Sequence, residues 1–205
     1  MTNHIHTVCL YCGSSAGSDP VYAEAAAAFG RTLVERGHHL VYGGGSVGLM
    51  GVAADAVLDA GGQAIGIIPE RLWGKEVGHR GLSALEIVPD MHTRKARMVA
   101  LADAFVALPG GFGTLDELFE VLTWQQIGYH EKPVGLLNVN GYFDGLLSFA
   151  RHAFEQGFLR EAHLDALVVD TEPGRLLDRL ATVSLASVAK WAPKPPVPPG
   201  PSTAI

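Results

Sequence analysis

Continuous apolar runs alternate with amphipathic stretches along most of the chain. Strands are expected near residues 7–11, 39–42, 63–68, 85–88, 104–108, 133–137 and 167–169. Helical spacing of apolar positions predicts helices near 21–36, 47–60, 91–102, 115–128, 142–156 and 173–187. Strands that alternate with helices imply right-handed crossovers and neighbours that run parallel. The strand segments are apolar throughout instead of alternating, so helices must cover both sheet faces. The expected fold class is α/β: a Rossmann-like, doubly wound, mostly parallel sheet of about seven strands.

With 205 residues, 48% of them hydrophobic, the chain suits one α/β domain, placed at 1–190. Residues 191–205 include Pro193, Pro195, Pro196, Pro198, Pro199 and Pro201, which exclude a helix or a central strand. A disordered tail is expected there; a docked proline-rich ligand is the alternative. The formal charge of −6 argues against nucleic acid or an anionic membrane as a nonspecific partner. No apolar run approaches the ~20 residues of a membrane span. Residues 1–6 lack the basic and apolar regions of a signal peptide, so a cytoplasmic location is expected. The two cysteines, Cys9 and Cys12, have C-x-x-C spacing. A redox pair is one reading, but Cys9 lies inside an apolar run, where a small core residue is the simpler one. No second Cys/His pair completes a zinc site, and no metal is expected.

In open α/β sheets, ligands bind beyond the carboxyl ends of the strands. Four such ends carry unusual residues. The first strand is followed by Cys12-Gly13-Ser14-Ser15, the second by Gly43-Gly44-Gly45-Ser46-Val47-Gly48. The fourth is followed by Asp90-Met91-His92-Thr93-Arg94-Lys95-Ala96-Arg97, the fifth by Pro109-Gly110-Gly111-Phe112-Gly113-Thr114-Leu115-Asp116-Glu117. A strand, a glycine turn and a helix in that order aim backbone N–H groups and a helix dipole at one point, which suits a phosphate. Gly43, Gly45 and Gly48 match the dinucleotide fingerprint, with Glu70 near the end of the next strand; a tight packing turn fits the same residues. Asp90 is a good N-cap, so Arg94, Lys95 and Arg97 fall where cations oppose the helix dipole. A bound anion would reverse that sign; a solvated basic face is the alternative. Glu117 has two readings as well. It faces the molecule carrying the phosphate, or it closes a Thr114-x-x-Glu117 capping box.

Pro109-Gly110-Gly111-x-Gly113-Thr114-x-x-Glu117 together with Met91-His92-x-Arg94-Lys95 resembles the signature of the LOG family. These are cytokinin riboside 5′-monophosphate phosphoribohydrolases, often mislabelled lysine decarboxylases. The likeness runs from about His6 to Leu180 and takes in the Cys12-Gly13-Ser14-Ser15 and Gly43-Gly44-Gly45 loops. It implies a homodimeric enzyme that cleaves the N-glycosidic bond of a nucleoside 5′-monophosphate, such as AMP or an N6-modified AMP. Free base and ribose 5-phosphate are the products, and no cofactor is implied. Arg94 and Glu117 match the catalytic pair. Lys95, Gly111 through Thr114, Glu76 and Thr123 match substrate-binding positions, and Ser14, Gly44, Met91 and Gly110 complete the expected site. A broad apolar surface of Phe119, Val121, Leu122, Trp124 and Ile127 on the helix after the glycine turn would serve the dimer; packing on the sheet would use the same residues.

N-glycosidic cleavage passes through an oxocarbenium-like state with positive charge at C1′. A carboxylate near that carbon stabilises it and either activates water or attacks directly, as in glycosidases. Glu117 is the candidate. Arg94 stands beside the departing base, or orients the phosphate or Glu117. A decarboxylase using pyridoxal phosphate needs a Schiff-base lysine. Of Lys75, Lys95, Lys132, Lys190 and Lys194, only Lys95 falls in the expected site. A non-catalytic nucleotide or cofactor carrier on the same fold is the remaining rival.

Overall fold

The structure, a computed structural model, describes residues 3–73 and 78–185. The expectations for Lys75, Glu76 and the proline-rich tail lie outside these residues, whereas the last helix, expected to run to 187, ends at Thr182, with Val183 extended as its C-cap. Among the described residues there are seven strands: β1 (Thr7–Tyr11), β2 (His39–Tyr42), β3 (Ala64–Pro69), β4 (Ala84–Val88), β5 (Ala104–Ala107), β6 (Val134–Leu137) and β7 (Leu167–Asp170). The helices are α1 (Pro20–Glu35), α2 (Gly48–Asp59), α3 (Glu70–Trp73), α4 (Met91–Leu101), α5 (Phe112–Gln126), α6 (Asp144–Glu155), α7 (Glu161–Asp165) and α8 (Pro173–Thr182). The strands form one parallel sheet in the order β4-β3-β2-β1-β5-β6-β7.

That order reverses at β1. Val8 pairs with Leu40 of β2 on one side and with Ala104 of β5 on the other. The loops leaving β1 and β5 must therefore diverge to opposite faces, and the crevice between them is where such sheets bind ligands. The strand period of two divides the core cleanly. Val8, Leu10, Leu40 and Tyr42 pack beneath α1, α2 and α8, whereas Cys9, Tyr11, Val41 and Phe105 pack beneath α4, α5 and α6.

Each strand boundary lies within a residue or so of the expected one, because continuous apolar runs end sharply at polar or glycine residues. Three short elements were not anticipated: α3, α7 and a 3-10 turn at Val139–Gly141. At three to five residues, none spans enough turns to show a helical period. The larger difference is α5. Glycines at 110, 111 and 113 suggested a start at 115, yet the helix begins at Phe112 with Gly111 as its N-cap. Thr114 and Glu117 therefore both lie inside the helix, and the capping-box reading of Glu117 is excluded. On the same helix, Val121 is fully buried in the core and offers nothing to a partner, while Phe119 stays about half exposed.

Candidate active site

Two helices from the same side of the sheet bring the expected acid and base together. On α4 the buried positions are Arg94, Met98 and Val99; on α5 they are Thr114, Leu118 and Val121. Arg94 thus sits on the core-facing stripe of its helix, and Glu117 borders the stripe of α5, one turn beyond Thr114. Both side chains are about nine-tenths buried, and Arg94 Nη1 lies 3.6 Å from Glu117 Oε1. Asp90 caps α4 by accepting the Thr93 N–H at 2.7 Å, which sets the first turn. Arg94 Nε donates to the Ile67 carbonyl of β3 at 3.2 Å.

Gly43 makes room for this cation. A Cβ on Gly43 would fall 1.6 Å from Arg94 Nη2, so the glycine loop after β2 is a slot for the guanidinium. Gly48, at φ +62°, packs its α-carbon against the backbone of Ser14. The fingerprint spacing thus serves close packing beside the site.

Burial penalises the ionised form of Glu117 and pushes its carboxyl up to about 7, although Arg94 beside it pulls the other way. Such a group exchanges a proton near neutral pH, as a general base requires. Beside it, the first turn of α5 is open. Gly111 has no side chain to cap the helix, and a Cβ at Gly111 or Gly113 would meet nothing within 4 Å. Free N–H groups and the positive end of the dipole therefore face outward, ready for a phosphate. The turn itself is tightly held. Gly13 N–H donates to the Pro109 carbonyl at 3.0 Å, and the Tyr142 hydroxyl donates to the Gly110 carbonyl at 2.6 Å.

These groups share a cavity of about 560 Å³, walled by Ser14, Gly43, Met91, Arg94, Gly111, Phe112, Gly113, Thr114 and Glu117. Val47, Met50, Ile68 and Leu72 give it an apolar side, and Cys12, Gly45 and Asp116 complete the lining. A second hollow of about 270 Å³ adjoins it at Ser14 and Gly111 and includes Gly110, Tyr22 and Tyr142. Of the expected site residues, Gly44 lies behind the wall, its carbonyl accepting the His79 N–H. Thr123 is exposed further along α5 and does not line the cavity. Lys95 does not line it either, and Glu76 lies outside the described residues.

The basic cluster has a different explanation from the one its position suggested. Arg97 pairs with Glu86 at 2.8 Å, and Lys95 pairs with Asp116 and Glu120. The anions opposite α4 are largely the protein's own carboxylates, and only Arg94 of the three cations faces the cavity. Met50, Ile68 and Leu72 were not singled out in the sequence, and Gly43, Val47 and Asp116 stood there only as members of the strand-end loops, without a stated role. The one readable signal was a charged residue in phase with the buried stripe of α4. Cys9 and Cys12 are free and buried, and burial drives both thiols far upward, which leaves them inert. Among the described residues, no group of three or more His, Cys, Asp or Glu side chains could hold a metal.

Fold and site define a doubly wound α/β protein with a buried acid–arginine pair beside an open, glycine-rich helix start. The family described as "Possible lysine decarboxylase" matches residues 50–180. The chain is 49% identical over 173 residues to cytokinin riboside 5′-monophosphate phosphoribohydrolase LOG3 of Arabidopsis thaliana, covering 84% of this chain and 80% of that one. It is 53% identical over 152 residues to LOG7 of the same plant, named for the same activity, covering 74% and 70%. Among solved structures it resembles a molybdenum cofactor binding protein from Rippkaea orientalis, with a TM-score of 0.64 and 23% identity over 85% of this chain and 94% of that one. That likeness speaks for the fold alone. This chain belongs to the LOG family.

Proposed function

We propose that the protein hydrolyses the N-glycosidic bond of cytokinin riboside 5′-monophosphates and of AMP, giving free base and ribose 5-phosphate. The observation that carries this reading is the Glu117–Arg94 pair, buried in one cavity with the open start of α5. The 5′-phosphate sits on the N–H groups of residues 111–114, with the Thr114 hydroxyl beside it. Its binding energy holds C1′ against Glu117.

Ionised Glu117 stabilises positive charge at C1′ and takes a proton from the attacking water. The water oxygen bonds to C1′ as the C1′–N bond breaks, and the electron pair leaves with the base, which then takes up a proton. Arg94 is always protonated and so is not the acid in this step. It orients Glu117 and keeps its carboxyl from rising further. The apolar wall of Val47, Met50, Ile68 and Leu72 suits a base that carries a hydrocarbon N6 substituent.

The enzyme acts in the cytoplasm, as a homodimer joined through the exposed face of α5 around Phe119. Among the described residues, no helix is long and apolar enough to cross a membrane. Sedimentation velocity tests the dimer; a monomer at micromolar concentration removes it. Incubation with AMP and with N6-isopentenyl-AMP, followed by chromatography, tests the activity. Free base and ribose 5-phosphate are expected from both. Nucleotide that stays bound and intact for hours would instead make the protein a carrier.

A further inference from the structure

Lys95 stands next to Arg94 on α4 but does not line the cavity; it pairs with Asp116, which does. Its Nζ lies 3.1 Å from Asp116 Oδ2 and 3.0 Å from Glu120 Oε1, and its side chain is 12% exposed. The two carboxylates are one helical turn apart on α5 and bracket Glu117. Without a cation, three carboxylates within that turn would repel one another. We propose that Lys95 is a positioning residue that acts through Asp116 and Glu120 on Glu117, and not a contact to the nucleotide. This inference rests on the hydrolase reading for the role of Glu117, but not for its own electrostatics.

Among the described residues, few charged and titratable groups face Glu117. Arg94 and Lys95 come from α4, and Asp116 and Glu120 from its own helix. Cys9, Tyr11 and Cys12, from β1 and the residue just after it, are held neutral by burial. Arg94 and Lys95 pull the Glu117 carboxyl down, while Asp116 and Glu120 push it up. Lys95 therefore acts twice. It supplies a cation, and it cancels two anions that would otherwise face Glu117. Its double ion pair also ties α4 to α5, which holds Arg94 in register with Glu117. The arrangement gives opposite signs for two neighbouring substitutions. Lys95→Gln removes a cation and unmasks both carboxylates, so Glu117 keeps its proton to higher pH. Glu120→Gln removes an anion and frees Lys95, so Glu117 loses its proton at lower pH.

A lysine that touches the phosphate behaves differently. Its loss raises KM at every pH and leaves the titration of Glu117 where it was. The experiment uses the full chain labelled with 13C at glutamate carboxyls, with Glu117→Gln to assign the resonance. Titration of the wild type, Lys95→Gln and Glu120→Gln is followed by NMR, and kcat/KM for AMP is measured over the same pH range. The Glu117 midpoint is expected to rise by about one unit in Lys95→Gln and to fall in Glu120→Gln. The acid limb of kcat/KM should move with it, and activity should recover to within a few-fold at high pH. An unchanged midpoint with a raised KM in Lys95→Gln overturns the proposal. If Lys95→Gln does not fold, Lys95→Arg and Glu120→Gln decide: the charge-conserving change must keep the midpoint and the other must lower it. If the wild type releases no base, the hydrolase reading falls, while the NMR midpoints still decide this one.

Discussion

Arg94 and Glu117 are two charges that a globular core would normally exclude. Each survives because of a specific neighbour. Gly43 leaves the guanidinium a slot, and Ile67 offers it a carbonyl. Gly43→Ala is therefore expected to displace Arg94 and cut kcat by roughly 100-fold, on the scale of losing one electrostatic donor. The fold should hold, because the obstructed atoms are the end of a flexible side chain; circular dichroism and steady-state kinetics check both parts. Glu117 carries a cost that depends on pH. Its carboxyl is raised from 4.5 to about 7 in the folded protein, so the folded state holds the proton more tightly than the unfolded chain does. The cost is absent below about pH 4.5, grows as pH rises through 7, and is complete above it. Some 2.5 units at ~1.4 kcal/mol each come to roughly 3 kcal/mol. Urea unfolding of the wild type and of Glu117→Gln across pH 4–8 should show the wild type losing about that much relative to the variant. The same titration predicts that kcat/KM rises with pH through about 7, since the deprotonated carboxylate is the active form. The importance of Gly43 was not legible in the sequence: its partner lies fifty-one positions away, and the G-x-G-x-x-G spacing pointed to a dinucleotide instead.

At the scale of elements, the decisive feature is where α5 begins. Glycines at 110, 111 and 113 read as a loop because glycine weakens a helix interior. At the first turn that penalty is small, and the missing side chains leave the N–H groups open. The strand–turn–helix order and its use as an anion site were legible; the register of the first turn, and with it the fate of the capping box, was not. The turn should also be sensitive to substitution. A Cβ on Gly110 would fall 2.1 Å from Thr114 Oγ1 and 2.7 Å from the Gly13 nitrogen. Ribose 5-phosphate at ~100 times its Kd is expected to stabilise the wild type by about 2.7 kcal/mol, read as a rise in Tm. Gly110→Ala should lose that rise. A full rise in the variant would place the phosphate elsewhere. By contrast, the strands were legible almost to the residue, because burial on both faces writes them as unbroken apolar runs.

At the scale of the molecule, the sheet reverses its winding between β1 and β5 and so sets the Ser14 and Gly111 loops side by side. The sequence announced the fold class through strand and helix alternation, and the four unusual loops all proved to lie at strand carboxyl ends. What it could not announce was which cations face the cavity. Lys95 finds its partners twenty-one and twenty-five positions away, across two helices that local periodicity cannot bring together. The C-x-x-C pair is likewise explained by the whole sheet: Cys9 is sealed within it and should not react with iodoacetamide until the protein unfolds, while Cys12, nearly buried, borders the cavity with its thiol pushed upward by burial.

The role proposed for Glu117 is to perform the cleavage, as opposed to serving merely as a buried structural acid. It is tested most directly by release of free base from AMP by Glu117→Gln at saturating nucleotide, with binding followed in parallel by calorimetry. Nucleotide is expected still to bind, with turnover falling by roughly a thousandfold or more. Turnover close to wild type, accompanied only by lower thermal stability, would contradict it.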